Sequence, residues 1–468
     1  IAGALNVVVG DVFTKDGVPG AYVAVGEPAA SAYTGLTNGL GEITFSGPDL
    51  VGPVTITAAA TGYEVTSFHC FDAENLTIFL RRPPPPVTGP VPPAPAGGRI
   101  HGNLLFGNAV GLGSPYWDLI PEPRTATERK RAYVTTTMPS PFSSTSAPVV
   151  IDYEFDGATA AWPFDLATRP SATAVVAVVG LYDSARDPSG IGTTGFEPFA
   201  MGVARGVLVG PDEDVLNVDL VVDIPLDSAV RLELADPPAL DSAGWIGPTY
   251  HQVRPYIDLG GEGVIAMNKH GLLLPGPFEP LPNRYLFPDG ETAMVLGRLA
   301  PLSGPLADAS YSFVVGAYSG FEATPFSVRV VRGVTDTNRP VTIDDFLGVS
   351  RPVDPLPLPD GVASGMGIRV APEGPPDAEP SFNLHLFAGG DGVQYWRMFT
   401  CGELDAIDFP DLSIAGFAPI PTGVAVNWTH WRLHVPGSTI NTFTYRQLGS
   451  LYWDAYAADF WSVQFPAE

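Results

Sequence analysis

The decapeptide PFAMGVARGV at Pro198–Val207 returns as PFSVRVVRGV at Pro325–Val334, each time with an Arg-Gly-Val ending to an apolar run, and the second copy carries a further arginine, Arg329. A catalytic arginine is needed once. A residue that recurs with its surroundings follows a structural repeat unit. The neighbourhood repeats too. VVGLY at Val178–Tyr182 answers VVGAY at Val314–Tyr318, and GFEPF from Gly195 answers GFEATPF from Gly320. A third echo, YIDLGGEGVIA from Tyr256 and LHLFAGGDGVQ from Leu384, sets a Gly-rich turn between two strand-like runs, the signature of a hairpin. Pro198 and Pro325 are 127 residues apart, and Val178 and Val314 are 136 apart. That spacing exceeds solenoid periods and suits one sandwich domain. In LNVDLVVDIPL, Leu216, Val218, Leu220, Val222, Ile224 and Leu226 alternate with mostly polar residues, a half-buried strand in which Pro225 marks an edge or an end. The same period of two puts Val203, Arg205 and Val207 on one strand face, and Val330, Arg332 and Val334 likewise. The arginine then lays its stem on apolar neighbours and lifts its guanidinium to solvent or a carboxylate.

With 50 prolines and 52 glycines against 16% charged residues, the chain is punctuated for many short elements rather than long helices. The densest punctuation, RRPPPPVTGPVPPAPAGG at Arg81–Gly98, reads as a semi-rigid polyproline spacer. These signals divide the chain into a sandwich over 1–82, a Pro-rich linker over 83–98, sandwich modules over 99–227 and 228–353, and an aromatic-rich module over 354–468. The expected class is all-β: tandem β-sandwiches, transthyretin-like or immunoglobulin-like, joined by a Pro-rich linker. One helix is a candidate, LYWDAYAADF at Leu451–Phe460, where Trp453, Tyr456 and Phe460 share a helical face, although the segment reads equally as a strand.

The first module carries Gly10, Gly17, Pro19, Ala21 and Val23, then Thr37, Asn38, Gly41 and Phe45, then Val54, Thr55, Ile56, Gly62 and Tyr63. In that order they resemble the carboxypeptidase regulatory-like family over residues 1–82. The resemblance implies a transthyretin-like, non-catalytic accessory sandwich of a kind common on exported proteins. It brings no catalytic residues, and no carboxypeptidase domain accompanies it.

A net charge of −26 disfavours nucleic acid and anionic membrane surfaces as partners. The basic cluster RTATERKR at Arg124–Arg131 reads as a solvated loop. No run reaches the length of a transmembrane helix. The chain starts at Ile1 without methionine, which permits an export signal removed beforehand, and the expected location is secreted or on the cell envelope surface. Cys70 and Cys401 either bridge the two ends of the molecule or pack as buried thiols. His430 and His434 in HWRLH lie on one strand face, too far apart to ligate one ion, and read as part of an exposed polar face with Arg432. No serine elbow, zinc helix or phosphate loop occurs. The acidic loops from Asp183, Gly210 and Thr335 read as solvated turns, with structural calcium a remote alternative; no cofactor is expected.

Aromatic residues crowd the last module. Tyr395, Trp396, Trp428, Trp431 and Trp453 are the candidate ligand-binding residues, as a flat platform for polysaccharide; packing inside a sandwich is the competing account. The function expected is non-catalytic, a structural, adhesive or assembly role with other proteins or further copies as partners. Polysaccharide binding stands second and an extracellular hydrolase third.

Overall fold

Runs rich in Val, Ile, Thr, Tyr and Phe, cut by Gly and Pro turns, fold as strands throughout the computed structural model. It describes residues 1–82, 97–106, 119–141, 149–152, 161–187, 195–236, 238, 240, 249–267, 285–287, 291–319, 323–359, 361–373, 379–390, 392–402, 406–417 and 420–467. Among them the only helical elements are 3-10 turns of three or four residues. The class is all-β. The spacer expected over 83–98 falls almost wholly on 83–96, outside the described residues.

The first unit holds β1 (Ala2–Asp11), β2 (Tyr22–Val25), β3 (Thr34–Leu36), β4 (Glu42–Val51), β5 (Val54–Ala59), β6 (Val65–Phe71) and β7 (Asn75–Leu80). The second holds β8 (Gly98–Leu105), β9 (Glu128–Thr136), β10 (Val149–Asp152), β11 (Ala161–Thr168), β12 (Ser171–Asp183), β13 (Phe196–Val209) and β14 (Asp214–Pro225). The third runs through β15 (Ser228–Leu234), β16 (Thr249–Asp258), β17 (Val264–Ala266), β18 (Tyr285–Leu286), β19 (Ala293–Leu299), β20 (Ser310–Ser319), β21 (Ala323–Val334) and β22 (Val341–Ile343). The fourth contains β23 (Val349–Asp354), β24 (Gly367–Glu373), β25 (Phe382–Ala388), β26 (Gln394–Thr400), β27 (Ala406–Asp408), β28 (Ala425–His434) and β29 (Ala455–Gln464).

The first three units share one wiring. The opening strand lies between an antiparallel partner and its own unit's last strand running parallel: β4-β1-β7, β11-β8-β14 and β19-β15-β22. The facing strands run β3-β2-β5-β6, β10-β9-β12-β13 and β17-β16-β20-β21. The fourth unit repeats the facing set as β26-β25-β28-β29. Both decapeptides therefore occupy the second strand of the same hairpin, β12–β13 and β20–β21, and the third echo forms the hairpins β16–β17 and β25–β26.

Each decapeptide also writes a bulge. Val175 faces Ala204 but Thr173 faces Val207; Phe313 faces Val331 but Tyr311 faces Val334. The inserted pair is Arg205-Gly206 in one copy and Arg332-Gly333 in the other, with φ of 71° and 74° at the glycines. A glycine in the left-handed region lets the strand gain a residue there. This corrects the one-face expectation. The bulge inverts parity, so Val203 packs in one core and Val207 in another, and the arginine is turned out sideways. No atom lies within 4 Å of a Cβ built at Gly333. Gly333→Ala should therefore cost about 1–2 kcal/mol purely through its backbone, read as a lowered denaturant midpoint with an unchanged m-value.

The units do not hang as beads. A 13-stranded sheet runs β17-β16-β20-β21-β29-β28-β25-β26-β6-β5-β2-β3, with β18 beside β16. It passes from the third unit through the fourth to the first. One apolar cluster accordingly mixes Leu5 and Phe68 with Tyr256, Val328, Phe399 and Leu433. Burial on both faces overturns further expectations. Glu128, Lys130 and Arg131 begin strand β9 and are buried, with the Arg131 guanidinium 3.6 Å from the Tyr182 ring centre, so only the Arg124–Thr127 half of the basic cluster is an exposed turn. His430 is buried because β28 is an inner strand. Leu451–Phe460 is a turn leading into β29, not a helix. Leu216 sits at a bulge beside Asn217 (φ 62°) and is exposed.

Candidate functional site

The chemistry-bearing side chains gather at the seams between units. At the seam of units two and three, the bulge aims Arg205 at two carboxylates, Glu262 and Asp308, each at 2.8 Å, and at the Pro305 carbonyl at 2.9 Å. The Gly206 N–H donates to Glu262 as well. Hydrogen bonding to Arg205 holds the Asp308 carboxyl low. Met138 and Val264 exchange backbone hydrogen bonds alongside.

The second arginine repeats the manoeuvre one unit later. Arg332 donates to the Trp453 carbonyl at 2.6 Å across the seam of units three and four. There β21 pairs antiparallel with β29 from Phe326↔Ala458 to Arg329↔Ala455. Arg329 meets Asp454 at 3.1 Å, and His434 meets the same carboxylate at 2.5 Å. Burial pushes Asp454 up, but the hydrogen bond from His434 and the charges of His434 and Arg329 outweigh it and hold the carboxyl low. The repeated arginine is thus a clasp between consecutive units.

The seam of units four and one is the most heavily built. β26 runs parallel to β6 from Trp396↔Val65 to Phe399↔Phe68. Phe68 stacks on Phe399 at 4.7 Å, and the Trp396 indole donates to Ser67 at 2.9 Å. On the face opposite the Trp396 indole Glu64 and Arg397 form a buried ion pair at 2.5 Å. Burial pushes the Glu64 carboxyl up to about 7 even though Arg397, and more weakly Arg81, pull it down. The Tyr445 hydroxyl accepts from the Phe79 N–H at 2.9 Å, and burial pushes that phenol up. Cys70 and Cys401 form a disulfide, Cα atoms 5.8 Å apart across 331 residues of sequence, which decides between the two alternatives for these thiols.

The aromatic candidates scatter over these features instead of forming a platform. Trp396 and Trp428 are fully buried in the core of unit four and have no face for a sugar. Trp431 and Trp453 are half-buried, 6.2 Å apart, and fill the seam of units three and four with Phe326 and Tyr456. The Trp453 indole donates to the Gln447 carbonyl at 2.7 Å. Tyr395 is half-buried on β26. The face of β26 and β28 that carries Trp396 and Trp428 is covered, which leaves these two no route to solvent, so the platform expectation is corrected for them. The seam residues Glu64, Arg397 and Tyr445 were not legible in the sequence. Only the paired cysteines signalled that the first and fourth units meet.

One open groove lies on unit two, lined by His101, Asn103, Pro163, Asp165, Leu216 and Asn217. Its Asp165 is engaged by Arg99, whose hydrogen bonds hold the carboxyl low, so it is an ionised acceptor and not an acid. Among the described residues no group of three His, Cys, Asp or Glu side chains converges as metal ligands, and no helix is long and apolar enough to cross a membrane.

Fold and seams define a modular all-β protein whose units are laced together. No family model matches the chain, and no curated protein matches it. Among solved structures it is similar to the TIE protein of Bacillus anthracis, with 10% identity over 73% of this chain and 50% of that one, at a TM-score of 0.14. It spans only half of that protein. BcpA, the major pilin subunit of Bacillus cereus, shows 10% identity over 73% of this chain and 97% of its own, at 0.14. The tip fimbrial protein Mfa3 of Porphyromonas gingivalis shows 10% over 51% and 82%, at 0.16.

Proposed function

We propose that this chain is a structural protein of the cell exterior, an adhesive or assembly subunit whose units act as one stiff body. The observation that carries this reading is the 13-stranded sheet shared by three units. Such lacing resists separation of the units and serves a part that transmits force or holds a spacing. The Cys70–Cys401 disulfide supports an oxidising compartment. The first unit serves as the accessory sandwich that its regulatory-like residues suggest. Other proteins, or further copies of the chain, are the partners that fit, since the excess of carboxylates repels anionic surfaces. Impermeant labelling of intact cells from the native source, followed by sizing of what is released, tests this. The expected result is a labelled, oxidised chain in a complex or on the envelope. A reduced, unlabelled monomer from inside the cell overturns the proposal.

A further inference from the structure

The large sheet carries a row of side chains, polar except for Met398, where an apolar core is expected. Cross-strand partners run Thr57–Ser67–Met398–His385–His430–Asp459, all buried. One step along lie His69, Thr400, Asn383 and Arg432 on the same face. The His385 and His430 rings stack with centres 4.3 Å apart and planes within 6°. His69 shares a hydrogen bond with Thr55, and Trp428 donates to Nδ1 of His385. The Nε2 atoms of His69, His385 and His430 have no partner among the described residues.

The charged groups facing these rings are mostly of one sign. Arg432 projects beside His430 and donates to the Gly348 carbonyl at 2.6 Å, and Arg351 of β23 faces Asp459. Glu64 and Arg397 occupy the opposite face of the sheet. Asp459 is the band's own carboxyl, and burial raises it to about 7, so it is already neutral at the acidity where an imidazole would need a counter-ion. The β28–β29 end of the band is covered by Leu347 and Val349, which cluster with Leu240 and Ala317 on Ala455 and Ala457, with Ser327 donating to the Leu347 carbonyl. Among the described residues β23 pairs only with β24.

We propose that the imidazole band is an acid-operated release, in which protons taken up by the His385–His430 stack and His69 unseat β23 and loosen β25 and β28 while unit two stays folded. Two imidazolium rings in stacking contact, beside Arg432 and with no ionised carboxylate in the row, repel each other in a dry setting. Burial lowers His69 to about 4 and His385 to about 3, with His430 also well below its ordinary value of 6.5. A lowered folded-state value means that the contribution is whole above about 6.5 and is lost as the pH falls toward those values.

Hydrogen exchange of the intact oxidised chain at pH 7.4, 5.5 and 4.0, corrected for intrinsic rates, tests this. At pH 4.0, peptides from β23, β25 and β28 should lose at least tenfold in protection while β12 and β13 keep theirs. The double variant His385→Gln/His430→Gln should abolish most of that loss. Simultaneous loss in all units, or the same acid response in the variant, overturns the proposal. Should the variant not fold, imidazole NMR of the native chain decides. Rings silent until protection falls support the release, and rings titrating near 6.5 in the folded chain refute it.

Discussion

Removing the Cys70–Cys401 bridge, by alanine at both positions, should lower unfolding free energy by about 5 kcal/mol. The bridge closes a loop spanning 331 residues of sequence, and the entropy it takes from the unfolded chain grows with loop length. The readout is the denaturant midpoint of the oxidised chain against the double variant, with reductant as an independent route to the same shift. The m-value should rise, because an unbridged chain exposes more surface on unfolding. A midpoint unmoved by either route would mean that the β6–β26 ladder, with Phe68 on Phe399 and Trp396 on Ser67, holds the seam without covalent help.

The second large effect is asymmetric. Glu64→Leu leaves the Arg397 guanidinium buried without its carboxylate and should cost about 3–5 kcal/mol. Arg397→Met should cost less at pH 7, because Glu64, pushed up to about 7 even with its partner present, simply keeps a proton. Replacing both should cost under about 1 kcal/mol, as for other buried pairs exchanged for apolar residues. The pH dependence follows from the raised value. The Glu64 contribution is whole below its ordinary 4.5 and is lost as pH rises through about 7. Loss of Arg397 should carry that decline above pH 7, and Glu64→Gln should flatten it. Equal costs for the two single variants at pH 7 would contradict this account.

The repeat unit was legible because its signals are local. Val178–Tyr182 and Pro198–Val207 form a hairpin within one short stretch of chain, and its counterpart at Val314–Val334 does the same. The role of Arg205 and Arg332 was half legible. Their recurrence marked them as structural, but the bulge that aims them depends on Gly206 and Gly333 adopting positive φ, which a period-two pattern does not display. The aromatic residues misled for a related reason. A tryptophan on an outer strand and one on an inner strand look alike in sequence, and nothing near Trp396 or Trp428 says that β6 and β29 will bury their strands. Pairings such as Glu64 with Arg397 join residues more than 300 positions apart and leave no periodic trace.

The sheet order sets a schedule for how the molecule is made. Strand β6 leaves the ribosome long before β26, the strand that will cover its edge, has been synthesised. Until then the first unit carries an unpaired ladder edge with Phe68 and Cys70 at hand, open to pairing with neighbouring chains or to a wrong thiol. Contacts of such high sequence separation also form slowly. A chaperone or translocation machinery that shields that edge until the last unit emerges would raise the yield of correctly bridged protein, and recombinant production that couples folding to each unit in turn would lower it.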